Sequence, residues 1–425
     1  MTSVAIAETE RSADVQEVVS ETGVHAYLVQ DSNLPMLSIS LHFKGGSATD
    51  PIGKEGLAYM VSGLIDEGAG PYDSRAFHME LEDNAIRLGF DAGRDSFTGE
   101  LKTLTEMRDH AFELLRLALS EPRFDEEPVE RIRNQIITEL RRRENDPDYI
   151  ASKTWFAKAF PDHPYGRSTR GTETTINAIT VEDLKNFVST RLASDNLVIG
   201  VSGDVTADQL RALLDKTFSG LPRESQAPEI TDVKPALGET IVTNLPIPQS
   251  IVRFGHEGIS RDDPDYYAAY VANYLLGGGG FSSRLMQEIR EKRGLAYGAY
   301  SYLLDIDHAP LWMGGVATRN DAVGQSIEIL KAEAQKMAAG EISQDDLDNA
   351  KTYLTGSFPL RLTSNDQVAR VLVDMQVASL GIDYLDKRND FIEALTLDDI
   401  KRVSARLFKE PPLVSIVGAP EGLEG

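Results

Sequence analysis

Hydrolytic and metal-centred chemistry needs particular side chains at particular spacings, and this chain supplies few of the usual sets. Its seven histidines are His25, His42, His78, His110, His163, His256 and His308. A helical zinc pair needs two of them at i, i+4 or a comparable spacing, and no two have it. His110 opens "HAFEL" and His78 opens "HMELE", each without a second histidine, so both read as surface or packing residues. There is no cysteine, which removes disulfides, thiolate ligands and thiol nucleophiles together. No Gly-x-Ser-x-Gly elbow, Walker loop or dinucleotide fingerprint occurs.

The densest signal is "GGGGFSSRLMQEIREKRGLAYGAYSYL", residues 277–303. The run Gly277, Gly278, Gly279 and Gly280 lacks the lysine and spacing of a phosphate cradle, and it follows an apparent helix rather than a strand. Ser282 or Ser283 is placed to cap a helix whose apolar side is Leu285, Met286 and Ile289. Gly294 ends that helix after Arg290, Lys292 and Arg293, and "LAYGAYSYL" then alternates as a strand. Two readings fit Arg290 and Tyr297. Either they converge on one point, or Arg290 helps to cap the helix and Tyr297 is half-buried packing.

A second stretch, "EGLAYMVSGLIDEG" (55–68), reads as a helix with one apolar face, Leu57, Met60, Val61, Leu64 and Ile65. Gly63 stands inside it, where glycine costs about 1 kcal/mol relative to alanine. Tyr59, Ser62 and Gly63 occupy its other side.

These segments must be positioned by a larger frame. At 425 residues the chain is long enough for two or three domains. A Pro- and charge-rich stretch at 221–239 reads as an exposed linker. It sets an N-terminal half at 1–225, a linker at 226–239 and a C-terminal half at 240–425. The halves end alike: "TVEDLKNFVSTRLASDNLVIGVSGD" (180–204) and "TLDDIKRVSARLFKEPPLVSIVGAP" (396–420) each give a capping Thr, an acidic first turn, an amphipathic helix and an apolar strand. Duplication explains the match. The first half reads as strands near 25–31 and 36–44, the helix at 55–68, a helix near 73–88, strands across 90–102 broken near Gly93, and helices near 105–120, 124–144 and 148–160. The second reads as a strand near 249–256, a helix near 264–276, the helix after the glycine run, strands near 298–318 and further helices. Strands grouped apart from helices predict α+β halves.

The formal net charge of −24 argues against nucleic acid and anionic membrane surfaces as partners. No apolar run approaches the roughly 20 residues of a membrane helix. The opening "MTSVAIAETERSADVQEV" lacks the basic and apolar regions of a secretory signal, which leaves cytoplasm and periplasm both open.

With these residues in hand, the chain resembles the pitrilysin/insulinase family of metallopeptidases, in its small two-subunit bacterial branch, and is similar to mitochondrial processing peptidase subunits and respiratory-complex core proteins. The resemblance rests on "GGSATDPIGKEGLAYM", "HPYGR" (163–167) and, most specifically, "SSRLMQEIREKRGLAY". It implies a duplicated α+β fold whose two halves close like a clam shell around a peptide. Active members carry His-x-x-Glu-His, with two zinc ligands and a base that activates water. The matching positions here hold Tyr59, Met60, Val61, Ser62 and Gly63. The family's third ligand falls on Glu139 in "NQIITELRRR", which on its own reads as a solvated helix carboxylate. One carboxylate does not hold a catalytic zinc, so no metal or other cofactor is expected on this chain.

The resemblance also implies that an Arg and a Tyr with six residues between them reach the substrate from the C-terminal half, and Arg290 and Tyr297 match that spacing. In two-chain members one subunit carries the zinc motif and the other carries this pair. The expectation is a zinc-less subunit, inactive alone, that supplies Arg290 and Tyr297 to a homologous zinc-bearing partner and binds a peptide, with Gly277 to Gly280 as substrate contacts. The alternative is an inert peptide-binding or structural scaffold like the respiratory core proteins.

Overall fold

Two short sequence signals organise each half. Thr180 and Thr396 each accept a hydrogen bond from the backbone N–H three residues on, and Asp183 and Asp399 reciprocate, so both helices start in a complete capping box. The strands that follow end at Gly203 and Gly418, both at positive φ. A Cβ on Gly203 would lie 2.3 Å from the Met36 carbonyl oxygen, and one on Gly418 would lie 2.1 Å from Ser250 Oγ. Each glycine thus lets the neighbouring strand cross closely.

The computed structural model describes residues 14–423, and most of the segment read for a secretory signal lies outside them. The first half runs β1 (Val15–Val19), β2 (His25–Gln30), β3 (Met36–Lys44), α1 (Leu57–Ser62), α2 (Ser74–Asp83), β4 (Arg87–Ala92), β5 (Ser96–Leu104), α3 (Arg108–Ser120), α4 (Glu126–Arg143), α5 (Pro147–Ala159), α6 (Glu173–Ala178), α7 (Val181–Arg191), β6 (Leu197–Gly203) and α8 (Ala207–Phe218). The second runs β7 (Thr240–Asn244), β8 (Gln249–Glu257), α9 (Tyr266–Asn273), β9 (Ala296–Leu304), β10 (Leu311–Arg319), α10 (Val323–Ala338), α11 (Gln344–Gly356), α12 (Asn365–Val377), α13 (Tyr384–Glu393), α14 (Leu397–Leu407) and β11 (Leu413–Gly418).

The sheets have the orders β1-β2-β6-β3-β5-β4 and β7-β11-β8-β10-β9. Set β1 aside and they coincide strand for strand. Each contains one parallel pair, β2 with β6 and β7 with β11, and is otherwise antiparallel. The mixed α+β class and the duplicated architecture read from the sequence are both present.

The halves also exchange a helix. α5 packs on β11 and β8 of the second sheet, and α12 packs on β6, β3 and β2 of the first. Trp155 Nε1 on α5 donates to the Leu413 carbonyl (3.0 Å), and Gln376 Nε2 on α12 donates to the Ile199 carbonyl (2.8 Å). Close approach is built into the strands. A Cβ on Gly200 would lie 2.1 Å from the Ala369 oxygen, and one on Gly255 would lie 3.0 Å from Trp155 Cζ2. Trp155, Phe160 and Tyr165 form a core with Leu311, Met313 and Leu413 across the halves.

Several expected elements are shorter. The helix at 55–68 is regular only over α1 and continues as turns, although all five residues of its apolar face are buried. The helix at 73–88 stops at Asp83, because residues 87–92 pair with β5 instead. The 264–276 helix is α9 followed by a π-helical turn, Tyr274–Gly278. Residues 221–239 hold no helix or strand, yet Gln226, Val233 and Ala236 donate to the carbonyls of Thr190, His308 and Ala159, which tie the segment down.

Candidate functional site

α1 begins where Gly56 takes a left-handed turn (φ 92°) beneath the Arg170 carbonyl, too close for any Cβ. Buried Asp50 accepts from the Gly56 N–H (2.8 Å) and the Ala58 N–H (3.1 Å), which fixes the helix start. Burial pushes the Asp50 carboxyl up to about 7, against these N–H groups and the nearby Arg191 charge.

Tyr59 points from α1 to α4. Its hydroxyl donates to Glu139 Oε2 (3.3 Å), so the structure brings together two of the positions assigned to the metal site. Glu139 is not the solvated carboxylate that its isolated helix position suggests. Its Oε1 accepts from Arg143 Nε (2.8 Å) and Arg170 Nη1 (2.8 Å), and Arg170 also donates to the Tyr59 hydroxyl (3.1 Å) and lies over its ring (4.6 Å). Burial raises the Glu139 carboxyl, but the Arg143 hydrogen bond and Arg170 charge outweigh it and hold the group below its ordinary range. Ser62 turns inward and donates to the Tyr59 carbonyl (2.9 Å). Gly63 caps α1, and a Cβ there would meet nothing nearer than Ile132 Cγ2 at 3.5 Å.

These residues do not fit zinc. The single carboxylate is held by two guanidinium groups, and the remaining positions offer a phenol, a turned-in hydroxyl and no side chain. Among the described residues no cluster of three or more His, Asp or Glu stands ready for a metal.

Beside this cluster a cleft of about 530 Å³ is lined by Arg142, Arg143, Asp146, Asp148, Tyr149 and Arg253. Arg143 ties it to Glu139. Arg253, on β8, donates to Asp148 Oδ1 (2.6 Å) and to the Tyr300 hydroxyl on β9. Its side chain crosses β10 at Gly315, where a Cβ would collide with Arg253 Nη1. Arg143 and Arg253 thus link the cleft to Glu139 on one side and to Tyr300 of β9 on the other.

β9 is the edge of its sheet. Its pairing with β10 shifts between Val316 and Thr318, so Tyr297 and Gly298 together oppose Ala317. This bulge changes the alternation and puts Tyr297, Tyr300 and Tyr302 all on exposed positions, while Ala296, Ala299 and Ser301 are buried. Tyr297 is 83% exposed, which overturns the half-buried packing reading. Tyr300 and Tyr302 stack at 6.2 Å.

Arg290 lies in a π-helical turn, Met286–Glu291, that ends at Gly294 in the left-handed region. Its guanidinium sits over the Phe281 ring (4.5 Å), with Glu291 at 3.5 Å. No hydrogen bond or cation–π contact joins it to Tyr297 among the described residues. Ser282 and Ser283 cap nothing: their hydroxyls donate to the carbonyls of Gly279 and Gly280 (2.8 Å each). Gly277 is packed against β9, where a Cβ would lie 2.4 Å from Ser301 Oγ, while Gly278 and Gly280 are exposed.

Sequence reasoning singled out Tyr59, Glu139, Arg290 and Tyr297 but missed Arg143, Arg170, Arg253 and Tyr300. Arg143 was accessible, since it stands i+4 from Glu139. Arg170 and Arg253 are long-range neighbours with no local signal.

Comparison with known proteins supports this frame. Family models described as "Insulinase (Peptidase family M16)" and "Peptidase M16 inactive domain" match residues 26–173 and 178–354. The chain is 29% identical over 355 residues to the "Non-peptidase homolog YmxG" of Helicobacter pylori, covering 82% of this chain and 81% of that one. It is 24% identical over 401 residues to the mitochondrial-processing peptidase subunit beta of Neurospora crassa, covering 91% and 84%. The crystal structure of a peptidase M16 inactive domain from Pseudomonas fluorescens superposes with a TM-score of 0.90 at 27% identity, covering 97% of this chain and all of that one. Strand order, matched halves and these similarities agree: the chain belongs to the insulinase family, peptidase family M16.

Proposed function

We propose that this chain is a zinc-less M16 subunit that works with a homologous partner bearing His-x-x-Glu-His, and that it presents Arg290 and Tyr297 to the partner's active site. One observation carries the reading: the metal position is closed by Tyr59, Glu139, Arg143 and Arg170, while Tyr297 stands free on an edge strand. Water attack on a peptide carbonyl builds negative charge on oxygen. A phenol and a guanidinium aimed at that oxygen stabilise the transition state more than the ground state. The peptide itself adds as a strand to a free sheet edge, with the exposed Gly278 and Gly280 of the glycine run beside it.

The test is reconstitution with the zinc-bearing partner. Tyr297→Phe is expected to lower turnover by roughly 10²–10³-fold while the complex still forms, the scale of one lost oxyanion donor. Unchanged turnover removes Tyr297 from the chemistry.

A scaffold role is the second reading. It is favoured by one observation, that Arg290 is already engaged by Phe281 and Glu291. It wins if no partner carrying the intact motif gains peptidase activity from this chain.

A further inference from the structure

Apart from the cleft at Arg253, a cavity of about 400 Å³ opens between α9, α12 and the turn Phe358–Leu362. Tyr266, Tyr267 and Tyr270 from α9 line it, together with Phe358. Five charged groups share this lining: Arg261, Asp305, Arg361, Asp374 and Arg388. Three of them are satisfied by the protein. Arg261 lies over the rings of Tyr266 (4.1 Å) and Tyr267 (4.8 Å) and donates to the hydroxyls of Tyr267 (2.9 Å) and Tyr384 (3.1 Å). Asp305 accepts from the Arg261 N–H (3.3 Å). Arg388 donates to the Leu354 carbonyl and to Asn389 Oδ1 (2.9 Å each).

The other two are not. The side chains of Asp374 and Arg361 make no hydrogen bond or ion pair among the described residues, with each other or with any third group. Two opposite, unpaired charges in one aromatic-walled cavity are the complement of a zwitterion. A ligand with an ammonium at one end and a carboxylate at the other neutralises both at once, and the ring faces take its side chain. The volume lies in the range of small-ligand pockets, and a few convergent polar groups on an apolar wall are their usual build.

We propose that this cavity binds a free amino acid or dipeptide with a bulky apolar side chain, its ammonium at Asp374 and its carboxylate at Arg361. The site is separate from the cleft and does not depend on the subunit role proposed above.

Isothermal titration of the full chain with the dipeptide Phe-Leu tests it, alongside the N-acetylated and C-amidated forms. One-to-one binding of the free dipeptide is expected. Each cap should weaken it by roughly tenfold or more. The acetyl penalty should vanish in Asp374→Asn and the amide penalty in Arg361→Gln. Absence of binding at roughly 10 mM dipeptide overturns the proposal. So do affinities indifferent to the caps, or cap penalties that persist in the variants. Both side chains are exposed and unbonded, so the variants should unfold at the parent temperature. If either does not, chemical-shift changes of the parent chain with free and capped dipeptide decide the matter alone.

Discussion

Glu139 accepts hydrogen bonds from two guanidinium groups and a phenol, so a cation arriving beside it meets two fixed positive charges. Histidines at the two positions that the resemblance assigns to ligands are therefore not enough to build a metal site. Gly63 has room for a side chain, so Tyr59→His with Gly63→His is sterically acceptable. That double variant is expected to stay zinc-poor, and adding Arg170→Ser should raise zinc affinity by roughly tenfold or more, as measured by metal content and competition with a chelator. Tight zinc binding by the double variant alone would show that the arginines do not bar the site. Asp50 acts at the same scale. Its folded pKa of about 7 lies above that of an unfolded aspartate, so the folded state binds the extra proton between about pH 4 and 7. The stability it contributes is present below the unfolded pKa and is lost as pH rises through 7. Asp50→Asn should therefore gain on the parent chain as pH rises from 5 to 8, read from urea midpoints; a constant difference rejects this. At this scale the resemblance pointed to Tyr59 and Glu139 as ligand positions, and the structure joins them. Their meeting with Arg170 depends on a loop 31 residues beyond Glu139, which no local pattern encodes.

Helices and strands were read from periodicity with fair success because the decisive signals are local. Thr180 and Thr396 cap, Gly203 and Gly418 stop, and the apolar faces repeat at helical spacing. Where the reading overran, a tertiary partner decided. Residues 87–88 continue a helical pattern but pair with β5, and the bulge at Tyr297 exists only against β10. The packing of α12 was invisible for the same reason, since its apolar face says nothing about which sheet it covers. Gly200 records the answer. Ala at that position sets a methyl 2.1 Å from the Ala369 oxygen, which is backbone and must move with the helix. Gly200→Ala is expected to cost about 1–3 kcal/mol in equilibrium unfolding, the scale of overpacking. A neutral effect would mean that α12 slides freely on the sheet.

For the molecule as a whole, the junction is stitched more firmly than a flexible linker requires. The Tyr165 hydroxyl donates to Asp95 Oδ1 (2.7 Å) and accepts from the His308 N–H (3.0 Å), joining the β4–β5 turn to the β9–β10 turn. Together with the exchanged helices, this makes the covalent link dispensable for cohesion. Cutting the exposed segment at Arg223 or Glu224 should leave two fragments that co-elute on size exclusion and part only in denaturant. Separation in native buffer would show that the linker alone holds the halves together. Composition and the repeated helix–strand ending pointed to two similar halves, but nothing in a linear pattern reveals that each half lends a helix to the other. That exchange has a consequence for how the chain is made. Trp155 is fully buried, and the carbonyl it donates to belongs to Leu413, 258 residues further along. A nascent first half leaving the ribosome therefore carries α5 with no surface to receive it. Trp155 and Phe160 stay in water, open to chaperones, until the second half through Leu413 has been synthesised.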